Sequence, residues 1–216
     1  MNAAGDYRLE DPLTFVDGRK VRTADDWQKR RAEILEIFAK EMYGVEPSKP
    51  ESLITDLVNE KVTCDGYAIR RQYAMRFKAD RSGPCINWFV WIPTAAKEPV
   101  PFISLLNYRG AHEFVMDEDV PVMTAWCRND CHAKDHHASA ATRGLLLNQN
   151  NPGSIFPLQM ILARGYAVMT ACYCEVSPDP DFFEKPPYDQ KTFAYTGVFE
   201  LWGPRDESRT DNITSL

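Results

Sequence analysis

Positive charge is in short supply in this chain: 25 Lys and Arg face 31 Asp and Glu, for a net charge of −6. Binding a phosphate backbone needs a basic face, so no nucleic-acid partner is expected. Long apolar runs are lacking as well. No segment reaches the length of a membrane span, so no membrane partner is expected. The opening Met1-Asn2-Ala3-Ala4-Gly5-Asp6-Tyr7-Arg8 contains no apolar signal region. Gly-x-Ser-x-Gly, the sharp turn that presents a nucleophilic serine, is absent from all 216 residues. Ser154 follows Gly153 but precedes a helical stretch with no strand before it, and Ser208-Arg209 has no flanking glycines. No internal repeat or low-complexity linker divides the chain. What remains is 44% hydrophobic and 26% charged, the make-up of one ordinary globular domain with a sizeable core.

The six cysteines are Cys64, Cys85, Cys127, Cys131, Cys172 and Cys174. An even count permits disulfides without requiring them. Cys172 and Cys174 lie two apart in a predicted strand, share a face there, and are poorly placed to bridge each other. Cys64 and Cys85 fit small core positions. Cys127, Cys131, His132, His136 and His137 offer thiolates and imidazoles that suit zinc, but their spacing matches no standard zinc motif. Neither a metal nor a cofactor is expected.

Periodicity sets the elements. Thr23 caps a helix with Asp26 at the reciprocal position, and Trp27, Ile34, Leu35, Phe38 and Met42 recur at helical spacing as a core-packing stripe. Gly44 and Pro47 end it. Residues 67–77 alternate, with Tyr67, Ile69, Tyr73, Met75 and Phe77 on one side and Arg70, Gln72 and Arg76 on the other. That pattern predicts a half-exposed antiparallel strand with its polar side in solvent. Residues 85–92 and 100–107 are apolar enough for interior strands, and 113–154 reads as one long polar loop. Ile155–Arg164 fits a short helix capped by Gly165, and Tyr166–Cys174 a further interior strand. The order strand–helix–strand over 100–174 predicts parallel pairing.

In open α/β sheets ligands bind beyond the carboxyl ends of the strands. Two loops are predicted there. Asn107-Tyr108-Arg109-Gly110-Ala111-His112 follows one strand, and in α/β-hydrolases the corresponding loop lends a backbone N–H to the oxyanion hole. Cys174-Glu175-Val176-Ser177-Pro178-Asp179 follows the next. The cleft candidates are therefore Asn107, Tyr108, Arg109, Gly110, His112, Glu175 and Asp179. Taken singly, the first loop is equally well an ordinary strand-to-loop turn, and the second reads better as a solvated acidic loop.

Several segments in order resemble one family. Asp11-Pro12-Leu13-Thr14-Phe15-Val16-Asp17-Gly18, Thr23-Ala24-Asp25-Asp26-Trp27, Arg30-Arg31-Ala32-Glu33-Ile34-Leu35 and Glu41-Met42-Tyr43-Gly44 are similar to the opening of carbohydrate esterase family fifteen, the glucuronoyl esterases and acetyl-xylan-esterase-like proteins. Asn107-Tyr108-x-Gly110-x-His112 resembles its Asn-aromatic-x-Gly-Asn-His turn. Arg164-Gly165-Tyr166-Ala167-Val168, with Glu175-x-x-Pro178-Asp179, resembles its later strand and acidic loop. Ala111 stands where the family commonly has Asn, Cys174 where it has Gly, and Glu175 where it has Asp.

The resemblance covers most of residues 11–212. It implies the N-terminal half of a serine esterase acting on plant cell-wall glucuronoxylan esters, with a polysaccharide or oligosaccharide ester as partner and Arg109 as a candidate contact for the uronate. It also implies a periplasmic or secreted setting, with cytoplasmic as the alternative since no signal peptide is seen. The family's Gly-Cys-Ser-Arg-x-Gly elbow, acid and histidine have no counterpart here, so no catalytic residue is assigned and the chain is expected to be inactive alone.

The expected fold class is α/β: a truncated α/β-hydrolase-like sheet whose antiparallel N-terminal strands lead into a parallel strand–helix–strand unit. One partial domain is expected, with an N-terminal extension and helix over 1–50, the sheet region over 51–212 and an unrelated tail at 213–216. The strand at 166–174 is expected to lack its next neighbour and to offer an open edge for self-association. The alternative is a non-catalytic carbohydrate-binding or interaction module on the same half-fold, with Trp88, Trp91, Trp126 and Trp202 as candidate stacking platforms, although Trp88 and Trp91 fit the core better.

Overall fold

The computed structural model describes residues 9–129, 133–147, 156–178, 180 and 196–203. These form two units, one up to Ser48 and one from Lys49 onward. Among the described residues no helix is long and apolar enough to cross a membrane.

In the first unit, α1 (Ala24–Phe38) starts at the expected cap. The Asp26 N–H donates to Thr23 Oγ1 at 3.1 Å, and the Thr23 N–H donates to Asp26 Oδ2 at 3.2 Å. The helix continues as a π-helical turn, Ala39–Tyr43, and stops at Gly44 with φ 83°. The stripe expected in a core is not buried: Trp27, Leu35, Phe38 and Met42 are exposed. The buried residue of α1 is Arg30, whose guanidinium meets Glu33 Oε2 at 2.5 Å and the Pro12 carbonyl at 3.4 Å. A stripe is covered only where a second apolar layer faces it, and among the described residues of this unit the other structure is a short loop around the Thr14–Lys20 bridge.

The second unit is built on one five-stranded sheet. Its strands are β1 (Ile54–Thr63), β2 (Ala68–Arg76), β3 (Cys85–Pro93), β4 (Phe102–Asn107) and β7 (Ala167–Cys172), in the order β1-β2-β3-β7-β4. The first three pair antiparallel, β3 pairs antiparallel with β7, and β4 pairs parallel with β7 from Phe102–Ala167 to Asn107–Cys172. The antiparallel entry and the parallel strand–helix–strand unit are both as expected. Strand β1 was not foreseen. Its residues mix Asp56, Asn59, Glu60 and Lys61 with apolar ones, and most are solvent-exposed at the sheet's edge. Within 113–154, read as one long loop, a short hairpin forms from β5 (Ala133–Lys134) and β6 (His137–Ala138). Asp135 and His136 turn it with φ of 53° and 62°.

Two layers cover the sheet. On one face Phe89, Trp91 and Val168 pack against Phe114, Val115, Val120 and α2 (Leu158–Ala163). Trp91 lies between Phe89 and Phe114 at ring distances of 6.2 and 6.3 Å. On the other face Phe77, Ile86 and Ala171 pack against Val198 and the turn Gly197–Trp202.

Strand β2 inverts the expectation. Ala68, Arg70, Gln72 and Ala74 form its buried side, and Tyr67 is exposed. Arg70 is only 1% exposed because Asp117 and Asp119 meet its guanidinium at 2.7 and 2.5 Å. Paired on both sides, the cation tolerates burial. Thr63 Oγ1 also donates to Asp117, so the loop after Val115 is fastened to the sheet.

A second correction concerns the free edge. Strand β7 has a neighbour on each side, and β4 is the terminal strand of the described sheet. Strand β4 is consequently not a buried strand: Phe102 and Leu106 are 58% and 51% exposed.

Candidate functional site

Parallel pairing of β4 with β7 brings the loops that follow Asn107 and Cys172 onto one rim. Asn107, at the end of β4, is buried and organises the turn. Its Nδ2 donates to Thr170 Oγ1 on β7 at 3.0 Å, and its Oδ1 accepts the Gly110 N–H at 2.6 Å. Gly110 adopts φ 118° and packs so closely that an added Cβ would lie 2.7 Å from Met123 Cβ. Glycine is therefore required both by backbone angle and by space. A tight turn, Ala111–Phe114, follows.

Strand β7 runs into the single-turn helix α3 (Tyr173–Val176). Glu175 is carried on it and reaches across to the start of β3. There the Asn87 N–H donates to Glu175 Oε2 at 2.7 Å and Asn87 Nδ2 donates to Oε1 at 2.8 Å. Burial pushes the Glu175 carboxyl above its ordinary range, and the two Asn87 donors offset part of that.

Between these loops lies a cavity of about 170 Å³, lined by Gly110, Ala111, Asn87, Met123, Cys172 and Glu175 among others. Of the residues expected in the cleft, the structure brings Gly110 and Glu175 together. Asn107 stands behind them as a brace. Tyr108 is exposed, its ring edge-on to Tyr173 at 5.3 Å, and its carbonyl accepts the Cys174 thiol at 3.6 Å. Arg109 is half-buried rather than exposed, and is not part of the cavity wall described.

His112 is fully buried and is not among the residues that line the cavity. Its Nε2 lies 3.2 Å from the Ser139 carbonyl and 3.1 Å from Thr142 Oγ1. A carbonyl only accepts, so Nε2 carries the proton; Nδ1 is left without a partner. Burial lowers the affinity of this imidazole for a second proton. Asp179 lies outside the described residues, as do Cys131 and His132.

Cys127 is buried, and burial pushes its thiol up to about 11. Its N–H donates to the His136 carbonyl at 3.1 Å. His136 presents its ring to Trp126, stacked at 4.9 Å, rather than to Cys127. Among the described residues, Cys64, Cys85, Cys127 and Cys172 carry free thiols. As expected for these two tryptophans, Trp91 is in the core on one face of the sheet and Trp88 packs, partly buried, against the cluster on the other.

Asn87, Met123, Thr124 and Cys172 were missed as wall residues. Asn87 sits inside an apolar strand, and a polar residue among Ile86, Trp88 and Phe89 was the available signal. Nothing local in Val122-Met123-Thr124 marks it, because a distant ion pair places that loop.

No family model matches the chain. A carbohydrate esterase, MZ0003, from an unknown prokaryotic organism is 31% identical over 180 residues, which is 82% of this chain and 40% of that protein. A 4-O-methyl-glucuronoyl methylesterase of Schizophyllum commune is 47% identical over 45 residues, 21% of this chain and 12% of that one. Among solved structures, a promiscuous CE15 esterase from a marine bacterial metagenome superposes with a TM-score of 0.72 at 29% identity, over 83% of this chain and 44% of the other. A glucuronoyl esterase from Solibacter usitatus gives 0.73 at 25%, over 95% and 47%. The chain thus spans less than half the length of these relatives.

Proposed function

We infer function from the premise that the family of this chain is carbohydrate esterase family fifteen, of whose members it corresponds to the N-terminal half. The reading is that it forms one wall of an esterase cleft for uronate esters of plant cell-wall glucuronoxylan. The observation that carries it is the shared rim: parallel β4 and β7 deliver Gly110 and Glu175 to one cavity. The Gly110 N–H is committed to Asn107, so it does not serve as the oxyanion donor. That role falls to Ala111, the first residue of the following turn and part of the cavity wall. These 216 residues contain neither a Gly-x-Ser-x-Gly nor the family's Gly-Cys-Ser-Arg-x-Gly elbow, and on this reading they turn over no ester by themselves.

Two assays test this. The chain alone is expected to release no product from aryl acetates or glucuronoyl esters. A burst stoichiometric with protein, abolished by a serine-directed phosphonate, overturns that expectation. Joined to the C-terminal half of the marine metagenome esterase, the chain is expected to hydrolyse a glucuronoyl ester. Ala111→Pro removes that N–H and is expected to lower kcat in that chimera by roughly 10²–10³, circular dichroism serving to show that the variant is folded. A folded chimera that cleaves aryl acetates but no uronate ester removes the substrate assignment.

A further inference from the structure

Cys172 and Cys174 lie two apart in sequence, and the fold changes how they face each other. In a continuous strand, residues two apart stand roughly 6.7 Å apart at Cα, at the far end of what a disulfide spans. Here β7 ends at Cys172, and Tyr173 opens the single-turn helix α3. A helical residue between two cysteines draws their Cα atoms in to about 5.4 Å, well inside the roughly 4.4–6.8 Å range of bridged pairs. The side chains converge as well. The Cys172 thiol is hydrogen-bonded to the Cys174 side chain, and the Cys174 thiol donates in turn to the Tyr108 carbonyl at 3.6 Å.

Both residues are buried, yet each borders open space. Cys172 lines the cavity of about 170 Å³. Cys174 lines a wider trough beside it, of about 540 Å³, and Asn87, Thr124 and Glu175 wall both spaces. A water molecule takes up about 30 Å³, so a peroxide of two oxygen atoms fits the cavity where a bulky oxidant does not. The bond to Cys174, with burial, holds the Cys172 thiol above its ordinary range, so the reduced pair persists until peroxide is in excess. Cys127 and Met123 belong to the same buried cluster and are the competing sulfurs.

We propose that Cys172 and Cys174 are a peroxide-sensitive dithiol that closes to a disulfide in the wall of the cleft. The Cys172 sulfur attacks one oxygen of hydrogen peroxide and the O–O bond breaks. The other oxygen leaves as water, taking the thiol proton, and Cys172 becomes a sulfenic acid. The Cys174 sulfur then attacks the Cys172 sulfur and expels the remaining oxygen as a second water. Two thiols and one peroxide give one disulfide and two waters, two electrons passing from sulfur to oxygen. Closure removes the thiol hydrogen that Cys174 gives to Tyr108, and with it one tie between the loop 107–112 and α3. The chemistry needs no ester and is independent of the esterase reading.

The test treats the full, reduced chain with excess hydrogen peroxide and maps its cysteines by mass spectrometry. The tryptic peptide that begins at Gly165 contains both. In its fragment spectra Cys172 and Cys174 are expected to be joined, two hydrogens lighter and closed to alkylation until dithiothreitol is added. Cys127→Ser is expected to leave this change intact. Amide hydrogen exchange over 108–112 is expected to be roughly twofold or more faster in the oxidised chain. Peroxide-treated Cys172→Ser is expected to show no such difference. If circular dichroism shows that Cys172→Ser is unfolded, Cys172→Ala takes its place.

Two cysteines still open to alkylation, oxygen added to either without closure, or a bridge from either to Cys127 each overturn the proposal. Oxygen on Met123 with the dithiol untouched overturns it too. Equal exchange over 108–112 in the oxidised and reduced chains overturns the tie to the loop.

Discussion

Asn107 and Gly110 are tied by a 2.6 Å hydrogen bond from the Gly110 amide to the Asn107 side-chain oxygen, while the other end of the same amide group holds Thr170 on the neighbouring strand. One buried side chain thus fixes the turn after β4 and its register on β7. Asn107→Ala strands the Gly110 N–H and the Thr170 hydroxyl in the interior, and is expected to cost about 2–4 kcal/mol. Urea denaturation checks it. Tyr108→Ala, at the exposed neighbour, is the control and is expected to cost well under half as much.

Gly110→Ala is expected to destabilise the sheet unit by more than the ~1–3 kcal/mol of a strained backbone alone, because the new Cβ also collides with Met123. The atom it meets is Met123 Cβ. Met123→Ala therefore fails to rescue Gly110→Ala, and Met123→Gly rescues it in part. Thermal unfolding of the two double variants separates the cases. Equal rescue by both contradicts the packing described.

Two carboxyls are displaced in opposite directions. The hydrogen bond from Arg70, aided by Lys61, lowers Asp119 from 3.8 to about 2. Its folded value lies below its unfolded one, so its stabilising contribution is complete above the unfolded value and is lost as pH falls toward 2. Glu175 is raised above 4.5 by burial. Its charged form disfavours the folded state as pH rises past 4.5, and acidification relieves this. Carboxyl ¹³C NMR titration is expected to show Asp119 near 2 and Glu175 above 4.5. Asp119→Asn is expected to flatten the acid limb of the stability curve.

The terminal position of β4 in the described sheet predicts concentration-dependent self-association, since its outer edge, without a strand partner among the described residues, lies together with the exposed Phe102, Ile103 and Leu106. Sedimentation velocity is expected to show it, and Ile103→Lys to suppress it without loss of the folded signal. A monomer at every concentration removes the prediction.

The chain's own pattern determined a good deal. Helical spacing and the Thr23–Asp26 reciprocal cap located α1, because capping is a local exchange of hydrogen bonds. Apolar runs located β3, β4 and β7, and the intervening helix implied the parallel pair, because a parallel return needs a crossover. From that pair alone the two loops had to share a rim, so the meeting of Gly110 and Glu175 at one cavity was legible.

Which face each strand buries was decided only by tertiary structure. Alternation in β2 placed Arg70 in solvent, yet Asp117 and Asp119 reach it from 47 and 49 residues away and make burial of a cation tolerable. The same remote pair fastens the loop that places Met123 against Gly110 and Thr124 on the shared wall. His112 was drawn inward by Ser139 and Thr142 for the same kind of reason. Periodicity records what a residue prefers among its neighbours in sequence. Burial of a charge or an imidazole depends on a partner that only the folded chain supplies.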